Sequence, residues 1–329
     1  MKLKTKLSGI AIAFLLLGCN GTAPEVQLDK AGSEILTVST DYTRVLEGLN
    51  GMIQVFYGEP MSIFVDTIEN KTAARGKLPS DMTDIVKTSF NKIGSYLTMI
   101  YDDNSENLKR SEVFKINGAI TEFDVVYAED NGVNAAGQAT RHGQRGDVDG
   151  SADKEAQKIQ IAVNFNPSNL HGGNYIPRTS TSNKVTVEKK SSANAFALSI
   201  LGTGFGFNNA VTKSQGIHAS LVVLAEYSVV EVLGKLGKFP YWLLSDGGKV
   251  NRDIVNHLSS TFLREPLNKK IEMISYIFAL KGNNGIQPTR MMTPKLKETI
   301  ISYQSQHGMT PNGTISKKLY LSLLEGNNK

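Results

Sequence analysis

"VFKINGAITEFDVVY", residues 113–127, is the stretch from which the fold can be read. Its Val, Ile, Phe, Thr and Tyr content gives a β-prone run, and "AQKIQIAVNFNP" (156–167) offers a second one of similar length. Between them lies "AEDNGVNAAGQATRHGQRGDVDGSADKE" (128–155), rich in Gly, Ala and charge and without hydrophobic period. Two strands joined by an inserted loop are the natural reading.

Further strands and helices extend outward from that pair. "TSTSNKVTVEKKSS" (179–192) alternates with period two, and "ANAFALSILGTGFGFNNAVT" (193–212) is apolar but broken by glycines. Upstream, "GMIQVFYGEPMSIFVDTIEN" (51–70) reads as β-rich, ending at a polar turn. In "SDMTDIVKTSFNKIGSYLTMIYDD" (80–103), Ser80 or Asp81 can cap a helix. There Met82, Ile85, Val86, Phe90, Ile93 and Leu97 share one face. "GIHASLVVLAEYSVVEVLGKLGKFPYW" (216–242) predicts an amphipathic helix with Val222, Ala225, Val229, Val232, Leu233 and Leu236 inward, stopped by Gly237 and Pro240. Past "LLSDGGKVNRD" (243–253) the pattern is helical to the end. The fold class expected is α+β, with a boundary between about 245 and 268.

The N-terminus sets the compartment. Lys2, Lys4 and Lys6 precede an apolar run from Ile10 to Leu17, which ends at Gly18 and Cys19, the single cysteine of 329 residues. Eight apolar residues are too few to span a bilayer, which takes about 20, but they suit the core of a secretory signal. The small Gly18 before Cys19 is what a signal peptidase can admit. "LLGC", Leu16 to Cys19, resembles a bacterial lipobox. That resemblance implies cleavage between Gly18 and Cys19 and acyl chains (palmitate among them) on Cys19, which are the only covalent group expected. Several chains anchor stably where one is marginal, at about 0.8 kcal/mol per buried CH₂. Asn20 in place of Asp then favours the outer membrane. "NGTAPEVQLDKAGSEILT" (20–37) reads as a tether. Loss of the three signal lysines takes the formal charge from +5 to +2, so basicity gives no reason to invoke nucleic acid as partner.

Catalytic signals are lacking. His142, His171, His218, His257 and His307 are scattered among unlike segments, so no metal site is expected. "GTGFG" (202–206) lacks the third glycine and following helix of a dinucleotide fingerprint. There is no G-x-S-x-G elbow, and the lone cysteine is assigned to lipid. The chain is read as non-enzymatic and without cofactor.

Two resemblances add to this. "LKETIISYQSQHGMTPNGTISKKLYLSLL" (296–324) predicts a helix with Leu296, Ile300 and Tyr303 inward, two turns, and a helix with Leu319, Leu321 and Leu324 inward. Tyr303-Gln304, Gly308-Met309 and Asn312-Gly313 resemble the aromatic-Gln, Gly-Leu and Asp-Gly pairs of the peptidoglycan-binding-like domain, a three-helix module. "IEMISYIFALKGNNGI" (271–286) would be its first helix. The resemblance covers about 269–326 and implies Tyr303, Gln304, Gly308, Asn312 and Gly313 as candidates for wall contact.

The order "MSIFVDTIENKT" (61–72), helix, "KINGAITEFD" (115–124), "KIQIAVNFN" (158–166) and "HASLVVLAEYSVVEVLGKLGKFPYW" (218–242) resembles curli production assembly/transport lipoproteins, the CsgG family. Gly118 to Thr121, Ile159 to Phe165 and "LGKL" carry it, over about 60–245. It implies a lipid-anchored periplasmic α/β domain with β-hairpin insertions that rings with copies of itself. Arg141, Arg145, Asp147, Asp149, Asp153 and Lys154 sit in the first insertion. A mid-depth Arg or Lys facing lipid costs about 2–4 kcal/mol, so 129–155 is expected to be a solvated loop, and 191–211 to be protected by subunit or shallow membrane contact.

The organisation expected is therefore a signal peptide (1–18), a lipidated cysteine and tether (19–50), an α/β domain (51–245), a linker (246–268) and a helical domain (269–326). The function expected is a ring-like scaffold or collar of an envelope-spanning secretion or appendage system. Its partners would be itself, the outer membrane, peptidoglycan and other components of that machine. The alternatives are an outer-membrane export pore and a non-catalytic accessory to peptidoglycan remodelling.

Overall fold

The computed structural model describes residues 42–74, 76–101, 112–128, 156–189, 196–202, 211–214, 217–245, 248–282 and 285–326. Gly18, Cys19, the expected tether 20–37 and the expected loop 129–155 lie outside the described residues, as do Arg75 and most of 191–211. The fold is mixed α+β.

Among the described residues seven strands form one mixed sheet: β1 (Met61–Asn70), β2 (Leu97–Ile100), β3 (Val113–Ala128), β4 (Ala156–Asn169), β5 (Thr181–Lys189), β6 (Phe196–Gly202) and β7 (Val211–Ser214). Their order is β2-β1-β3-β4-β5-β6-β7. Strands β2, β1 and β3 run parallel, and every later neighbour is antiparallel. The paired runs at 113–127 and 156–167 are β3 and β4, whose pairing shifts register between Ile120 and Glu122 and continues to Ala128 opposite Ala156. The connection β1 to β2 passes through helix α2 (Thr83–Asn91), as a parallel pair requires.

Alternation along β1 buries Met61, Ile63 and Val65 on one face. Its register against β3 slips between Val65 and Ile68, so Asp66 and Thr67 both lie opposite Asn117. That bulge returns Ile68 to the buried face; without it the period of two would point Ile68 outward. Within β3, Gly118 is required by close approach. A Cβ there would lie 2.1 Å from the Asn164 carbonyl oxygen of β4.

The sheet's buried face packs on α2 and on α3 (Ile217–Gly237). Helix α3 is apolar and long enough to cross a membrane, yet 83% of that window is buried inside the protein. It was expected to be amphipathic and is instead buried almost all round. It touches β4 and β5 on one side and α1 (Tyr42–Met52) and α2 on others. Each fully buried Leu or Val on it contributes about 1.5–3 kcal/mol. Its polar groups are paired, as charges without water must be. Glu226 meets Lys92 at 2.6 Å, and Glu231 meets Lys235 at 2.8 Å and the Asn183 amide at 2.9 Å.

Three further expectations are corrected. Residues 42–50 are not tether but most of α1, whose Leu46, Leu49 and Met52 reach the core at helical spacing. Ile53–Tyr57 is not a strand but a π-helical turn continuing α1, closed by Gly58 in the left-handed region at φ 91°. Leu97 is not on a helix: Gly94, at φ 120°, ends that path and Leu97 begins β2. The N-cap position of α2 is Met82, which makes no side-chain cap bond, and Asp81 just before it accepts from the Thr83 N–H through Oδ1 at 2.5 Å.

Four helices follow among the described residues: α4 (Arg252–Arg264), α5 (Leu267–Leu280), α6 (Pro294–Gln306) and α7 (Lys317–Glu325). The stretch expected as linker carries α4, capped by Asn251 and burying Ile254, Val255, Leu258 and Phe262. Its core is continuous with that of the sheet and of α5–α7. Phe262 stacks on Tyr320 of α7 at 4.1 Å, and Arg252 pairs with Glu325. Tyr276 of α5 donates its hydroxyl to the Gly48 carbonyl of α1 at 3.0 Å.

Candidate functional site

The C-terminal helices hold the residues for which a binding role was expected. Thr293 caps α6 by accepting from the Leu296 N–H at 3.2 Å, with Pro294 at the first helical position. Leu296 and Ile300 are buried as expected. The helix ends at His307 and Gly308, which takes φ 62°, and the Met309 N–H returns to the Gln304 carbonyl at 2.8 Å. Ser316 then caps α7 through the Leu319 N–H at 3.2 Å. Leu319 and Leu324 are buried, and Leu321 is partly so.

Gln304 is a clamp. It is 3% exposed. Its Oε1 accepts from the Gly313 N–H at 2.9 Å, and its Nε2 donates to the Thr314 carbonyl at 3.0 Å and to Asn312 Oδ1 at 3.4 Å. Asn312 Oδ1 also accepts from the Thr314 N–H at 2.9 Å and hydroxyl at 2.7 Å, closing an Asx turn. Gly313 sits at φ 71°, where a Cβ would press on Lys297 Cγ at 2.7 Å. The structure thus brings Gln304, Asn312 and Gly313 together, with Gly308 at the neighbouring turn. Their hydrogen bonds are spent on shaping the loop.

Tyr303 points elsewhere. Its ring stacks on His307 at 3.8 Å and meets Phe278 edge-on at 5.6 Å, and its hydroxyl lies 3.0 Å from Ser322 Oγ. Burial raises the phenol pKa, partly offset by the Ser322 hydrogen bond, so the hydroxyl stays protonated near neutrality. Tyr303 and Phe278 form the wall of a surface depression of about 310 Å³, completed by Glu298, Thr299, Ser302 and Gln306. Glu298, Ser302 and Gln306 recur every four residues along α6, so they lie on one exposed face. That spacing was visible in the sequence and was missed. A carboxylate, a hydroxyl and an amide beside an aromatic wall can hydrogen-bond a polyhydroxylated or amide-bearing ligand.

Glu272 of α5 holds two ion pairs. Its carboxylate binds Lys269 at 2.9 Å and Arg290 at 3.1 Å, tying α5 to the segment before α6. Burial pushes its pKa up, but the bonds to Lys269 and Arg290 outweigh that and hold it below the ordinary range. Among the described residues no cluster of His, Cys, Asp or Glu could hold a metal ion. No protein-family model matches the chain, and no curated protein is similar enough to count as a relative.

Proposed function

We propose that this protein is an outer-membrane lipoprotein whose α/β body assembles with copies of itself into a periplasmic ring or collar. Its α6 face contacts peptidoglycan, within an envelope-spanning secretion or appendage system. The observation that carries this reading is mechanical. Helices α4–α7 share one continuous core with the sheet domain, so load on the wall-facing surface passes directly to the body.

The sheet face opposite α2 and α3 supports self-assembly. It presents Asn117 and Asn166 as a cross-strand pair, with Asn164 two residues along and Tyr175 at the rim, 67% exposed. Asn117 Oδ1 and Asn164 Oδ1 are buried without a hydrogen-bond partner in the single chain. A neighbouring subunit that donates to them would remove a cost of about 1–3 kcal/mol each.

Particle images of detergent-extracted protein test the ring: closed oligomers are expected, and uniform monomers would refute it. Cys19→Ser tests the anchor: the variant should leave the membrane fraction for the soluble periplasm and lose palmitate labelling. Continued flotation with outer membranes would remove the lipid assignment.

A further inference from the structure

Where α3 ends and α4 begins, the chain leaves a cleft of about 410 Å³. The β4–β5 loop forms one side with Ile176, Pro177 and Arg178. The end of α3 supplies Lys235, Leu236 and Lys238, and the first turns of α4 supply Asn251, Asp253, Ile254 and His257. Arg178 at φ 64° and Lys238 at φ 52° are the two non-glycine residues in the left-handed region among the described residues. Both line this cleft. Such a backbone is unfavourable for side chains of this kind, so the fold holds two cations here against local preference.

The charges facing the cleft do not cancel. Lys235 is committed to buried Glu231 at 2.8 Å and to the Ser180 carbonyl at 2.8 Å. Arg178 meets Asp253 at 3.2 Å, but both are largely exposed, and such a pair is weak and exchangeable. Lys238 lines the cleft with no ion-pair partner among the described residues, and Arg264 lies outside the lining at the end of α4. The imidazole of His257 registers the surplus. Its pKa is lowered first by burial and then by the nearby charges of Lys238 and Arg264. Beneath the cations lies an apolar floor of Ile176, Pro177, Leu236 and Ile254.

We propose that this cleft docks an acidic peptide segment of a partner protein, its carboxylate between Lys238, Arg178 and His257 and its flanking apolar side chain on Leu236 and Ile254. Charge complementarity selects the anion, and the apolar floor selects a peptide over a free inorganic anion. No residue is shared with the α6 depression, so the inference stands or falls separately from wall binding.

The test uses the full chain in detergent and fluorescence anisotropy with a labelled, end-blocked leucine–aspartate–leucine–glutamate peptide. The competitors are the asparagine–glutamine analogue and inorganic phosphate. The acidic peptide should bind at least about tenfold more tightly than the neutral analogue. Lys238→Asn and Arg178→Gly keep residues suited to positive φ, so both should stay folded by circular dichroism and weaken binding about tenfold. A bound carboxylate favours protonated His257. Affinity should therefore rise as pH falls from about 8 to about 5, chiefly below the ordinary histidine value near 6.5, because burial and the nearby cations lower the His257 pKa. His257→Gln should flatten that rise. Equal binding of the neutral analogue, or no effect of either cation variant, overturns the proposal. Displacement by phosphate as effective as by unlabelled peptide reduces the cleft to a simple anion site and also overturns it. So does failure of the peptide to bind, or peptide-induced dissociation of oligomers with Lys238→Asn oligomers also disrupted, which would assign the face to a second copy.

Discussion

The indole N–H of Trp242 donates to the main-chain carbonyl of Leu324 at 2.8 Å, across 82 residues of sequence. Trp242 belongs to the short 3₁₀ turn that follows α3, and Leu324 lies in the last turn of α7. Carbonyls at a helix end have no partner within the helix, so the indole satisfies one that would otherwise be buried without a bond. The ring also meets Tyr241 edge-on at 5.4 Å. One side chain thus ties the end of the sheet domain to the end of the chain.

Trp242→Phe keeps most of the apolar bulk and removes that donor. A loss of about 1–3 kcal/mol is expected, measured by urea unfolding of the full chain. Because the core is continuous, the sheet signal and the helical signal should fall in one transition. Two separated transitions would show that α5–α7 fold as an independent module.

Gly118→Ala should destabilise the sheet by at least about 1–3 kcal/mol, since overpacking forces backbone to move. The new methyl would sit 2.1 Å from the Asn164 carbonyl oxygen and 2.9 Å from the Phe165 ring. The check is the midpoint of thermal unfolding. An unchanged midpoint would mean that β3 and β4 are further apart than described.

Glu272 gives a pH dependence with a definite sign. Its folded pKa lies below the ordinary 4.5. The stability it contributes is therefore present above about 4.5 and is lost as pH falls through the depressed folded value. Glu272→Gln should be less stable than the parent near pH 7 and should lose less on acidification. Parallel stability–pH curves for the two would sink this account.

Strands were legible where β-branched and aromatic residues concentrate: 113–127 and 156–167 needed no correction, although the bulge between Ile120 and Glu122 breaks the alternation there. Helix α3 was placed correctly but misread in character. A helix covered on all sides carries no periodic signal about its neighbours. The π-turn at Ile53–Tyr57 contains Val, Phe and Tyr, which favour strands, yet its contacts with α5, such as Phe56 on Tyr276 at 6.1 Å, hold it helical. Tertiary packing overrode propensity there. Gln304 spends its amide on the 312–314 loop, a choice between ligand and loop that sequence does not record. The cleft of Arg178, Lys238 and His257 draws on three separate segments, so no local pattern announces it.

Framework and surface residues on the C-terminal helices should respond differently to substitution. Gln304→Ala would leave the Gly313 N–H and the Thr314 carbonyl without their partner, and a loss of about 2–4 kcal/mol is expected. Any drop in sacculus binding should then follow the unfolded fraction and recover on cooling. Glu298→Ala with Gln306→Ala changes two exposed side chains, so stability should stay within about 0.5 kcal/mol. If α6 contacts the wall through the depression beside Tyr303, this double variant should lose co-sedimentation with purified sacculi at full stability. A truncation before α5 would be a poorer test, because it strips Ile274, Ile277 and Phe278 from the shared core and confounds binding with folding. Unchanged co-sedimentation of the folded double variant would remove the α6 depression as the wall contact.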